Sequence, residues 1–213
     1  MNDFIIYLLK VNIAIALFYM FYKLFFAGDT LWRARRIYML SAILLSFAYP
    51  FFSIEGWLQQ QETVKEFVMN YAVLPEFTVG AVEQSTFFTV NNILASAYVV
   101  VITALMLKLL LQVVSILKIK RSGHFETIQN TRVLVVEKEI APFSFFGTIY
   151  INPALHTEAE TAQILTHELT HVRQWHSLDV MLSEILCMVF WINPATWLLK
   201  REIRQNLEFL ADD

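Results

Sequence analysis

Two apolar runs constrain this chain more than any other feature. Ile37–Ile54 is 18 residues without a charge, and Ile93–Leu117 is 25 residues with Lys108 as its one charge. At 1.5 Å of helical rise per residue, each reaches across a hydrocarbon layer about 30 Å thick. A third run, Phe4–Phe26, is broken only by Lys10, Asn12 and Lys23. Composition agrees. Hydrophobic residues make up 57% of the 213 and charged residues 16%, against about 45–50% and about 25% in soluble domains. A single soluble core of this size cannot hide that much apolar surface, so the chain is expected to be a mainly α membrane protein.

The same numbers exclude other classes. Five Gly and five Pro disfavour a loop-rich or all-β chain. A net charge of -3 implies no polyanionic partner, so no direct contact with nucleic acid is expected. One cysteine, Cys187, rules out an intrachain disulfide and a multi-cysteine zinc site. The first run lacks the basic start and small-residue cleavage site of a signal peptide and is read as a permanent span.

Three transmembrane helices are therefore expected, over about 4–26, 37–54 and 93–117, within a membrane region 1–121. Lys and Arg set the orientation. Lys23, Arg33, Arg35 and Arg36 lie between the first two runs, and Lys118, Lys120 and Arg121 follow the third. The outer loop, 55–92, holds five Glu and only Lys65. The amino terminus and that loop should face out, and residues 122–213 should form a cytoplasmic domain. Trp57, Val64, Phe67, Val68 and Tyr71 recur at helical spacing and suggest an amphipathic packing helix in the outer loop.

In the cytoplasmic part, His124–Ile128 and Thr131–Val136 read as strands joined by Gln129-Asn130, and Phe145–Ile151 as a third. A helix should follow, because Thr157 and Glu160 have capping-box spacing. That helix carries His167-Glu168-Leu169-Thr170-His171. Residues four apart share a helix face, so both imidazoles can reach one ion. Zinc takes such nitrogens at about 2.0–2.1 Å and in catalytic sites keeps one position open. Glu168 then sits beside the metal as a general base for the attacking water. With five His in the chain, this pattern should arise by chance about 0.008 times. One zinc ion per chain is expected.

A third ligand must come from a later element, and two His with one carboxylate is a common zinc set. Asp179, Glu184, Glu202, Glu208, Asp212 and Asp213 are the carboxylates available. Glu208 and Asp212 share a helix face. Glu208 is the favoured ligand, and Asp212 can accept the free ring N–H of a ligand histidine. His176 and Asp179 flank the motif helix. Helix capping is the favoured role for both; stabilising an oxyanion or orienting a ligand is the other.

The ordered set His167-Glu168-x-x-His171, Asn193-Pro194 and Glu208-x-x-x-Asp212 resembles the BlaR/MecR-type membrane metallopeptidases, which are gluzincins. The segment Ala141-Pro142-Phe143-Ser144-Phe145-Phe146-Gly147-x-Ile149-Tyr150-Ile151-Asn152-Pro153 resembles the strand before the motif helix in that family, and the similarity spans nearly the whole chain. The resemblance implies a small α+β zinc peptidase domain with His167, His171 and Glu208 as ligands, Glu168 as base and Asp212 behind a ligand. It implies that the strand around Phe143, Ser144, Phe145, Phe146 and Gly147 binds substrate backbone at its edge. It further implies a bacterial cytoplasmic membrane protein that transmits a signal by cleaving a transcriptional repressor or itself. The penicillin-binding sensor domain of the best-known members does not lie within these residues, so β-lactam sensing does not carry over. The zinc domain is expected to continue beyond Asp213.

Ligand geometry constrains a fourth apolar stretch, Ile185–Leu199. His167 and His171 precede it and Glu208 follows it. One membrane crossing would part them, and 15 residues are too few for two. The stretch should be a re-entrant or interfacial helix pair, broken at Asn193-Pro194, with a second helix from about Ala195 to Leu210. The expected function is a membrane-embedded zinc endopeptidase acting at the cytoplasmic face on a protein substrate. A quality-control metalloprotease of membrane proteins is the first alternative. A non-catalytic signalling or docking protein with a structural metal is the second, but Glu168 has no use in such a site.

Overall fold

A computed structural model describes residues 2–26, 28, 30–52 and 90–212. The helix expected around Trp57–Tyr71 lies outside the described residues. Helix α1 spans Asn2–Phe25, α2 Trp32–Ala48 and α3 Val90–Ser122. Strands β1 (His124–Ile128), β2 (Thr131–Val135), β3 (Phe143–Phe145) and β4 (Thr148–Ile151) follow. The chain closes with α4 (Glu158–Arg173), α5 (His176–Val189) and α6 (Pro194–Asp212).

Among the described residues, two helices are long and apolar enough to cross a membrane, Phe4–Phe25 and Asn92–Ser122. Helix α2 differs from the expected run over 37–54. It has 17 residues, starts at Trp32 and ends at Ala48. A single 3-10 turn, Tyr49–Phe51, follows it. Pro50 explains the end, since it disfavours helix at the residue before it and has no N–H to continue the ladder. The early start takes in Arg33, Arg35 and Arg36, and the last two find partners in later helices.

The sheet is mixed, in the order β1-β2-β4-β3. Gln129 and Asn130 both have positive φ, which closes β1 and β2 into the expected antiparallel hairpin. The strand expected over Phe145–Ile151 is instead the second arm of another hairpin. Phe146 (φ 40°) and Gly147 (φ 79°) form its turn, with Phe145 facing Thr148 across it. An apolar run containing Gly reads equally well as one strand or as two with a tight turn, and here the turn wins. Residues 146 and 147 therefore belong to no strand, and β3 is the sheet edge.

Alternation along β2 sends successive side chains to opposite faces. Val133, Val135, Ile149 and Ile151 pack under α4 through Leu165. Leu134, Val136 and Tyr150 pack on the other face against Ile116 and Ile119 of α3. The sheet thus sits between the motif helix and the end of the longest apolar helix.

The chain between α5 and α6 breaks at the expected place. Pro194 is the first residue of α6, where a missing N–H costs nothing. Asn193 Oδ1 accepts the Ala195 N–H at 3.0 Å. The two helices pack on each other and share one core with α1 and α2. Val11 and Ile15 meet Met39, Ile43, Leu186, Phe190, Leu199 and Ile203 there. The turn at Asn193 reaches halfway along α1, where Asn193 Nδ2 donates to the Asn12 carbonyl at 3.0 Å. Tyr98 of α3 donates to the Val189 carbonyl beside it. The apolar core therefore runs across the expected division between residues 121 and 122.

Candidate metal centre

Helix α4 begins with a capping box. Glu160 N–H donates to Thr157 Oγ1, and Thr157 N–H to Glu160 Oε2 at 2.8 Å. Hydrogen bonds from the Thr157 backbone and hydroxyl hold the Glu160 carboxyl below its usual range. Two turns on, His167 and His171 stand on one face, with Nε2 atoms 3.2 Å apart. Helix α6 supplies the third group. Glu208 Oε2 lies 3.6 Å from His167 Nε2 and 4.0 Å from His171 Nε2. These three residues are brought together as a possible metal-binding triad.

The triangle tests the fit. With sides of 3.2, 3.6 and 4.0 Å, a point about 2.1 Å from all three atoms exists, which is the bond length zinc takes to nitrogen and carboxylate oxygen. Two neutral imidazoles and one carboxylate are also a recognised donor set for catalytic zinc. The residues present fit the ion.

Helix α6 holds Glu208 there through contacts with α1 and α2. Tyr22 donates to Glu202 Oε2 at 3.0 Å and Lys23 to Oε1 at 2.9 Å. Arg35 lies between them, donating to Glu202 and to the Tyr22 hydroxyl. Asn206 donates to the Trp32 carbonyl, and the Trp32 and Phe209 rings stack at 4.3 Å. Asp212, one turn beyond Glu208, accepts from His167 Nδ1 at 2.8 Å. Its carboxylate cannot donate, so the proton sits on Nδ1 and His167 offers a bare Nε2 to the centre.

Glu168 is buried, and with both histidines it lines a cleft of about 1190 Å³. Phe143, Ser144 and Phe145 of β3 line it, as do residues of α3 between Ala104 and Ile116. Phe146 and Gly147 form the adjoining turn rather than the wall, and Phe146 N–H is held by Ser177 Oγ at 3.0 Å. In a hairpin closed by two residues, the flanking pair Phe145–Thr148 is the bonded one. The alternation of an antiparallel ladder then turns the Ser144 N–H and carbonyl outward, along the free edge.

The capping role favoured for His176 and Asp179 gives way. The motif helix ends at its C-cap Gln174, whose carbonyl accepts from Arg36, and Trp175 is the N-cap of α5, where no side chain caps either. His176 turns back instead, with its Nδ1 2.7 Å from His171 Nδ1 and its Nε2 3.2 Å from Gln174 Oε1. Trp175, in left-handed conformation at φ 57°, makes this reversal within one residue of the helix end. Burial, with His171 and Arg36 nearby, pushes His176 down to about 3. Burial also lowers His171, against the carboxylates of Glu168 and Glu208. Asp179 does not touch the triad; it accepts from Arg36 Nε at 2.7 Å.

Two residues at this centre escape sequence reasoning. Arg36 registers only as a charge that orients the chain in the membrane, and Gln174 has no signal at all. Their roles depend on α2 meeting the α4–α5 turn, which no local pattern announces. The chain matches no protein-family model, and no curated protein is significantly similar to it in sequence.

Proposed function

We propose that this chain is a zinc-dependent endopeptidase of a membrane, cutting a protein substrate at the cytoplasmic face. The observation that carries the reading is the meeting of His167, His171 and Glu208 from two distant helices, with Glu168 buried beside them. A zinc ion held there would polarise the scissile carbonyl and acidify the attacking water. The substrate enters as an extended segment and adds to the β3 edge through Ser144, which aligns its backbone along the cleft. Glu168 takes a proton from the water as the new C–O bond forms. It returns that proton to the amide nitrogen as the C–N bond breaks. Asp212 keeps His167 in the tautomer the centre needs.

In this reading α1, α2 and α3 all cross the bilayer, and Lys23, Arg33 and Lys118 lie on the cytoplasmic side. The exposed apolar residues of α3, such as Leu94, Val100 and Leu110, then face lipid. The α5–α6 hairpin enters from the cytoplasmic side to the depth of Asn12 and returns, which leaves all three ligands on one face. The likeness to BlaR/MecR-type peptidases makes a transcriptional repressor, or the chain itself, the proposed substrate.

Zinc content of the purified chain and protein termini in cells test the proposal together. Wild type should hold one zinc. Glu168→Gln should keep the zinc and lose cleavage by about 10²–10⁴-fold. One lost cleavage event supports signalling, and many lost events would support quality control. Identical termini in the two cell lines, with and without a signal, would overturn the peptidase reading.

A further inference from the structure

We infer that Arg36, at the foot of α2, fixes which nitrogen of His171 is offered to the metal, acting through Gln174 and His176. The inference rests on the metal-centre reading above and concerns residues that reading does not use. Arg36 Nη2 donates to the Gln174 carbonyl at 2.7 Å, and Nη1 reaches Gln174 Oε1 at 3.3 Å. A guanidinium has donors only. It therefore sets the orientation of the Gln174 amide, with oxygen toward Arg36. The same oxygen faces His176 Nε2 at 3.2 Å, and two acceptors cannot share that contact. His176 Nε2 must carry its proton.

The next link follows from the first. A neutral His176 protonated on Nε2 has a bare Nδ1. That atom lies 2.7 Å from His171 Nδ1, so His171 must donate there. Its own proton then sits on Nδ1, and Nε2 is left bare. Nε2 is the atom that faces His167 Nε2 and Glu208. Each contact in the chain has one permitted direction, and the direction is imposed at the far end by a group that cannot accept. Asp212 does the same for His167 in a single step. The two ligand histidines are thus set by different means, one by a carboxylate on α6 and the other by a cation on α2. Arg36 is a positioning residue, anchored in turn by buried Asp179.

The test uses the full chain in detergent, labelled with ¹⁵N-histidine, together with zinc affinity by chelator competition. In the metal-free wild type, His171 should be protonated on Nδ1 and His176 on Nε2. Gln174→Glu keeps an acceptor at that point, so both tautomers should persist and zinc affinity should stay within about twofold. Gln174→Lys presents only donors, so both tautomers should invert, with affinity down about 10–100-fold, the usual effect of losing an outer partner of a ligand. Both variants leave the Arg36–Asp179 pair in place, which separates the relay from general loss of structure. Arg36→Met frees the Gln174 amide to turn and should give mixed tautomers and weaker binding. A wild type that binds no zinc would overturn the metal-centre reading itself. A wild type that binds zinc, with Gln174→Lys equally tight or with unchanged His171 shifts, would overturn the relay alone.

Discussion

Asp212 offers the sharpest test of the centre, because one contact links it to one ligand. Its Oδ1 accepts from His167 Nδ1 at 2.8 Å, and its side chain is 68% exposed. Exposure limits what this hydrogen bond adds to folding, to about 0–1 kcal/mol as for other exposed polar pairs. Its effect on metal binding is larger, because a bare Nε2 on His167 requires the proton on Nδ1. In Asp212→Ala, both tautomers become accessible and ring rotation is no longer restrained. Losing the fixed tautomer already weakens binding, because part of the metal-free protein then carries the proton on Nε2. Loss of fixed orientation and of added ligand basicity brings the expected total to about 10–100-fold in zinc affinity, or about 1.4–2.8 kcal/mol. Asp212→Asn should fall between wild type and Asp212→Ala, since an amide oxygen still accepts, though without charge. The assay is competition against a chromophoric zinc chelator at fixed pH and salt, with thermal unfolding of the metal-free protein alongside. Affinity should fall while metal-free stability hardly moves. Unchanged affinity in Asp212→Ala, or equal losses of affinity and stability, would refute the argument.

Other expectations follow from the same geometry. A reporter fused just after Leu199 should read as cytoplasmic, as should one in the Arg33–Arg36 segment; an external reading after Leu199 would sink the topology and the Glu208 assignment. At the start of α4, Glu160 has a lowered carboxyl pKa. Its stabilisation is therefore complete above the ordinary value near 4.5 and is lost as pH falls through the lower folded value. Protection of the first-turn amides of α4, relative to their unstructured rates at each pH, should fall over that window in wild type and stay flat in Glu160→Gln. Trp175 is 61% exposed and left-handed, so replacing it tests backbone strain with little change in packing. Trp175→Val should be less stable than Trp175→Gly by about 1–2 kcal/mol, measured by chemical unfolding; equal stabilities would mean that the reversal carries no strain.

How far the sequence alone could reach depended on how local each feature was. The motif helix was legible because its capping box and its two histidines four apart are local and periodic. The break at Asn193-Pro194 was legible for the same reason, and the return of α6 followed from needing Glu208 near the histidines. The β3–β4 hairpin was not, because Phe145–Ile151 is apolar on both sides of Gly147 and so reads as one continuous strand. The start of α2 was obscured by its arginines, which look like a loop until Glu202 and Asp179 are known to accept from them. His176 reads in the sequence as a helix cap because a histidine after a helix end has many possible roles. Only the left-handed residue at Trp175, invisible in the sequence, turns it back toward His171.

The placement of these arginines also bears on why the apolar helices and the metal centre belong to one unit. A peptidase domain tethered by a linker would keep its ligands on elements of its own core. Here α6, which carries Glu208 and Asp212, buries Leu199, Ile203 and Leu207 in the core that holds Val11 and Met39. Adjacent residues of α2 then grip both halves of the centre. Arg35 holds α6 through Glu202, and Arg36 holds the α4–α5 turn through Gln174 and Asp179. A shift of α2 along its axis would move these two contacts together, because they lie one residue apart on the same rigid helix. It would part Glu208 from the histidines only if α6 and α4 followed it by different amounts. Their own packing differs in that respect: α6 sits in the core with α1 and α2, whereas α4 rests on the sheet through Leu165. Any displacement of α2 would therefore reach the two sides of the triad through different packing, the helix core for Glu208 and the sheet for the histidines.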